Sequence, residues 1–200
     1  MTHRRTGEHQ GFSMVEIMIA LGVVGVMSAT GVGLVVQNIE KGRVATARED
    51  TRAIFRAIES FHANVTFYPG EKETTKNYMH SSTIDRRPTY KGVAASAAVG
   101  VSMANYLYND PGASYQNWRG PYLSEDRTDP WGHSYIIYTT GIHGAGCASF
   151  AIASGTPVYA WVLSAGKDGD IDTSPADSTL HFVDGSDEDI GVISFRTKCD

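Results

Sequence analysis

The chain has 200 residues, a formal net charge of −5, 42% hydrophobic and 20% charged residues, and two cysteines. A mildly acidic chain with no basic run of five excludes a basic-groove grip on nucleic acid, and no nucleic acid is expected as a partner. The length remaining beyond the N-terminal features suits one globular domain rather than two.

Residues 1–11 form a short polar leader carrying His3, Arg4, Arg5 and His9 and ending at Gly11. Phe12-Ser13-Met14-Val15-Glu16 follows, and the run from Ile17 to Val36 then carries no charge. Twenty such residues in a helix span about 30 Å, the thickness of bilayer hydrocarbon. A charge in a spanning segment costs on the order of 2.5–3.5 kcal/mol even on insertion scales, so Glu16 calls for a partner. Arg4 and Arg5 precede the run, which places the N-terminus in the cytoplasm and the remainder outside. An ordinary secretory signal has an apolar core of roughly 7–15 residues closed by a cleavage site; this run is longer. Gly22, Gly25, Gly31 and Gly33 weaken the helix by up to about 1 kcal/mol each relative to alanine, leaving local unwinding and close helix packing both open.

Basic leader, Gly11, Phe12, Glu16 and a long apolar helix together resemble the prepilin signal of type IV pilins and of the pseudopilins of type II secretion systems. The resemblance implies that a prepilin peptidase cuts between Gly11 and Phe12 and methylates the Phe12 amine. Glu16 would then pair with the Phe12 amine of a neighbouring identical subunit, since opposite charges in a lipid-like medium are tolerable only together. Loss of Arg4, Arg5 and Glu8 with the leader takes the net charge from −5 to −6. The implied place is the bacterial inner membrane, crossed once by residues 12–36, with the C-terminal domain and the assembled filament in the periplasm. Implied partners are other pseudopilins, the inner-membrane assembly platform and membrane lipid before assembly.

From Gln37 the pattern turns amphipathic. Val44, Ala47, Thr51, Ile54, Phe55, Ile58 and Phe61 recur at spacings of three and four, with Glu40, Lys41, Arg43, Arg48, Glu49, Asp50 and Glu59 on the other faces. The spacing predicts one helix from about Ser13 to Asn64, with residues 37–64 as its amphipathic half. Tyr68-Pro69-Gly70 closes it, residues 65–200 form the globular domain, and the polar stretch from Glu71 to Pro88 reads as a loop. Small and apolar residues from Gly92 to Tyr108 predict a second helix.

Gly120-Pro121-Tyr122-Leu123, leading to Asp129-Pro130-Trp131-Gly132-His133-Ser134-Tyr135, is similar to the central segment of the type II secretion major pseudopilin. Physically it is a turn: Asp129 bonds its own backbone, Pro130 presets φ, Gly132 accepts a positive φ and Trp131 caps the core. His133 reads as a surface turn residue. Strand patterning follows in Tyr135–Tyr138. A glycine-rich turn at 141–146 leads to strands at Ala148–Ile152 and Pro157–Leu163, and a last strand covers Gly191–Phe195. The expected architecture is α+β, a type IV pilin-like fold with the long helix on a small antiparallel sheet.

Asp168, Asp170, Asp172, Asp177, Asp184, Asp187, Glu188 and Asp189 place eight carboxylates within 22 residues that hold no Lys or Arg. Composition alone fits a solvated acidic loop. Hard oxygen ligands also suit Ca²⁺, but Thr173 and Thr179 stand where an EF-hand needs glycine and glutamate. Ser164-Ala165-Gly166-Lys167-Asp168-Gly169 with Asp187-Glu188-Asp189-Ile190 resembles instead the calcium loop of major pseudopilins, over residues 164–191. The resemblance implies calcium held by the Ala165 carbonyl, Asp168, and Asp187 or Asp189. Outside the cytoplasm, Cys147 and Cys199 either form a disulfide or remain two thiols. The resemblance implies a structural filament subunit with no enzyme activity. A type IV pilin for adhesion, motility or DNA uptake, or a minor pseudopilin, is the alternative.

Overall fold

A computed structural model describes residues 11–73, 78–81, 89–90, 100–143, 152–180, 182–183 and 187–199, with the side chains at 28–34, 89–90, 143, 182–183, 187–188 and 194–196 excepted. The backbone is helical from Met14 to Val65 (α1), within one residue of the expected bounds. Two compact units divide at Gly42.

The first unit presents its apolar residues outward: Phe12 is 80% exposed, Met14 79%, Leu21 67% and Met27 70%. So continuous an exposed apolar surface marks contact with another protein or a membrane. Among the described residues no helix is long and apolar enough to cross a membrane. The expected span 12–36 contains residues 28–34, whose side chains lie outside the description.

In the second unit, residues 43–65 of α1 bury the predicted stripe. Ile54, Ala57, Ile58, Phe61 and Val65 meet Met79, Met103, Leu107, Tyr135, Ile137 and Val162 in one core cluster. The helix stops at Val65, and Thr66 adopts φ 70°. The strands that follow are β1 (Tyr78–His80), β2 (Thr89–Tyr90), β3 (Gly100–Ser102), β4 (Ile136–Tyr138), β5 (Pro157–Ser164), β6 (Asp170–Ile171), β7 (Phe182–Val183), β8 (Asp187–Glu188) and β9 (Ile190–Lys198). The main sheet runs β3-β1-β4-β5-β9. Because β1 and β3 pair in parallel, the sheet is mixed rather than antiparallel as expected.

Three expectations about local structure need correction or fall outside the description. Tyr78–His80 is a buried strand inside the segment read as a polar loop. Gly100–Ser102 is a strand and helix α2 covers only Ala104–Leu107, so of the described part of the helix expected over 92–108 only those four residues are helical. Residues 91–99 and 148–151, where the rest of that helix and most of one strand were expected, lie outside the described residues. The β4, β5 and β9 expectations hold, with β9 reaching further at both ends.

Alternation on β4 and β5 explains why Tyr135–Tyr138 is apolar throughout. Ile137 and Val162 face the helix, while Ile136, Tyr138, Trp161 and Leu163 enter a second cluster with Ala165 and Ile171. The sheet is covered on both faces, and the second cover comes from the acidic segment. Helix α3 (Thr140–His143) presses on β5 so closely that a Cβ on Gly141 would lie 1.9 Å from the Ala160 nitrogen. Only glycine fits there.

Candidate functional site

The Asp129–Tyr135 turn joins three parts of the second unit. The Asp129 side chain is fully buried. Its Oδ1 accepts the backbone N–H of Trp131 (3.1 Å) and of His133 (2.7 Å), which is the turn chemistry expected of aspartate. Gly132 sits at φ 92°, as that turn requires. At the far end, the Tyr135 hydroxyl donates to Asp50 Oδ2 on α1 (2.9 Å), and Arg127 Nη1 bonds Asp50 Oδ1 at 3.2 Å. Burial and the Asp50 carboxylate push the Tyr135 hydroxyl above its usual range. Trp131 is half-buried and belongs to neither large core cluster; Trp118 and Trp161 supply the core indoles instead.

The turn also grips the first residues of the acidic segment. Ser164 Oγ donates to Asp129 Oδ2 at 2.7 Å and accepts the Gly166 N–H at 3.2 Å. His133 Nδ1 lies 3.0 Å from the Gly166 carbonyl and 3.8 Å from Asp129 Oδ2. Both neighbours are acceptors, so the geometry assigns the proton of the neutral ring to Nδ1. Gly169, at φ 79°, lets the imidazole lie against its backbone; a Cβ there would be 2.7 Å from Nε2. His133 is therefore a bridge between two segments rather than a surface turn residue.

Asp129, His133 and Ser164 are the residue types of a hydrolytic triad, brought together by the fold. Their order differs from one. The serine hydroxyl donates to the carboxylate instead of to the imidazole, and Ser164 is fully buried. This arrangement holds a loop.

The acidic segment is anchored rather than loosely solvated. Tyr138 donates to the Thr173 carbonyl (2.8 Å), and the Trp161 indole donates to the Asp177 carbonyl (3.0 Å). Of the expected calcium ligands, Ala165 is buried at the start of the turn and Asp168 is exposed. Asp168 Oδ1 accepts the Asp170 N–H at 3.0 Å. Asp189 is 3% exposed, and its Oδ2 accepts from Asp172 N (3.0 Å), Thr173 N (2.7 Å) and Thr173 Oγ1 (2.6 Å). Burial lifts its carboxyl from 3.8 to about 6, against the downward pull of those three hydrogen bonds. Asp168 and Asp189 thus secure opposite ends of the stretch 170–173. Asp187 opens β8, and its side chain lies outside the described residues.

Among the described residues no three His, Cys, Asp or Glu side chains gather into a group able to hold a metal. The Ala165 carbonyl and the Asp168 and Asp189 carboxylates are hard oxygen donors of the kind Ca²⁺ takes. A cation beside Asp189 would offset the cost of burying its charge.

The remaining expected residues lie elsewhere. Gly11, Phe12 and Glu16 are exposed, with Glu16 in the first turn of α1, where the helix dipole favours a carboxylate. Cys199 is disulfide-bonded and buried against Val158; Cys147 lies outside the described residues.

Ser164, His133 and Thr173 were not read from the sequence as a connected set. Their partners are 35, 33 and 16 residues away, and no local spacing signals them.

The family model for type II secretion system (T2SS) protein G matches residues 100–181, the span that carries the turn and most of the acidic segment. The type II secretion system core protein G of Escherichia coli is 28% identical over 85% of this chain and 90% of its own length. The protein of the same name from Pseudomonas aeruginosa is 22% identical over 68% of this chain and 78% of its own length. The chain is similar to type II secretion system protein G. No solved structure matches the chain significantly.

Proposed function

We propose that the chain is a structural subunit of a type II secretion pseudopilus, cut by prepilin peptidase between Gly11 and Phe12 and stacked into a helical filament that helps drive protein export. The observation that carries this reading is the exposed apolar helix behind Gly11-Phe12-Ser13-Met14-Val15-Glu16, on a chain whose globular part is similar to protein G. Residues 12–36 anchor the waiting subunit in the inner membrane, and the same residues form the filament core after assembly. Glu16 pairs with the Phe12 amine of the adjoining subunit. The subunit needs no catalytic group, since a repeated axial step requires only matching surfaces.

Calcium is part of the proposal. The Ala165 carbonyl, Asp168 and Asp189, with Asp187 from β8, would hold it. A cation bound only by the folded chain stabilises that fold by mass action. The pairing of Cys199 with Cys147, the chain's other cysteine, ties the C-terminal tail to the domain. Substituting Glu16→Ala tests the assembly claim. The variant should accumulate as membrane-bound, unassembled chain, and filaments formed at the normal level would overturn the reading.

A further inference from the structure

We propose that Ser164 and His133 are positioning residues for calcium: with Asp129 they aim the Ala165 carbonyl and hold the first turn of the loop in its binding shape. This rests on the calcium reading above.

The peptide joining Ala165 to Gly166 is planar, and its carbonyl points opposite to its N–H. That N–H is donated to Ser164 Oγ at 3.2 Å. Ser164 Oγ is fixed in turn, because its own proton goes to Asp129 Oδ2 at 2.7 Å. The Ala165 carbonyl is consequently directed away from the Ser164 side chain. The next peptide is held independently, its Gly166 carbonyl accepting from His133 Nδ1 at 3.0 Å. Two consecutive peptides of the loop are therefore pinned by one turn that lies more than thirty residues earlier in the chain.

Burial makes the restraint stiff on one side only. Asp129 is 3% exposed and Ser164 0%, whereas Asp168 is open to solvent. Gly166 at φ 66° and Gly169 at φ 79° turn the chain back over the imidazole. The direction of the Ala165 carbonyl is thus set before any cation binds, which lowers the ordering cost of binding.

The test is calorimetric titration of calcium chloride into the full-length chain in detergent, with hydrogen exchange of residues 165–169 measured in chelator. Ser164→Ala and His133→Ala should each weaken calcium binding about fivefold to tenfold, the worth of one or two hydrogen bonds. Both should also speed exchange in the loop before any calcium is added. His133→Asn, which keeps an amide donor near the position of Nδ1, should recover most of the affinity. If an alanine variant loses its fold by circular dichroism, His133→Phe against His133→Asn makes the same comparison. Wild-type affinity in the variants that lack the donor refutes the positioning role alone. A wild-type chain that takes up no calcium refutes the calcium reading, and this role with it.

Discussion

Replacing Asp129 by alanine should destabilise the globular unit more than most single substitutions. Three donors converge on this carboxylate: Trp131 N–H at 3.1 Å, His133 N–H at 2.7 Å and Ser164 O–H at 2.7 Å. The side chain is 0% exposed, so water does not replace them at its position. Each orphaned buried donor costs about 1–3 kcal/mol. Trp131 is only half-buried and counts at the low end, giving about 3–5 kcal/mol in total. For a domain of this size that is a fall in Tm of roughly 10 °C or more. Asp129→Asn keeps the Oδ1 acceptor and presents an amide to a serine hydroxyl that can rotate to accept, so it should cost only about 1 kcal/mol. Urea unfolding of the full-length chain, followed by tryptophan fluorescence, measures both. An alanine variant within about 1 kcal/mol of wild type, or an asparagine variant as unstable as the alanine one, refutes the clamp.

Asp189 gives a pH dependence of definite sign. Its folded carboxyl sits near 6 against 3.8 in the unfolded chain, so the fold binds the proton more tightly. In chelator this group's contribution to stability should be full below pH 3.8 and be lost as the pH rises through about 6, on the order of 3 kcal/mol. Asp189→Asn should flatten that window in a pH series of urea titrations; an unchanged slope would show that other groups set it. Phe61→Ala removes a fully buried ring with centroids 5.6, 5.7 and 6.4 Å from Tyr115, Tyr122 and Tyr106. It should cost about 3–5 kcal/mol in the same urea assay, and a loss under 1 kcal/mol would deny that this ring anchors α1.

Elements long enough to show a period were legible in the sequence. The three-and-four spacing from Val44 to Phe61 places α1, and the apolar run of Pro157–Leu163 locates β5. Strands β1 and β3 have three residues each, too few to display alternation, and their parallel pairing depends on a connection that no local pattern encodes. The same limit hid the site. Asp129 was readable as a turn residue because its Oδ1 partners are two and four positions away, whereas its Ser164 partner is 35 away. Charge alone made 168–189 look solvated. Ala165 and Ile171 instead cover the second face of the sheet, and burial converts Asp189 from a surface acid into an internal acceptor.

The most direct measurement is the intact mass of the chain recovered from cells that carry the full secretion apparatus. The account predicts a chain lacking residues 1–11 and beginning at an N-methylated Phe12. A chain that keeps Met1, or one whose new end lies beyond Val36, contradicts it.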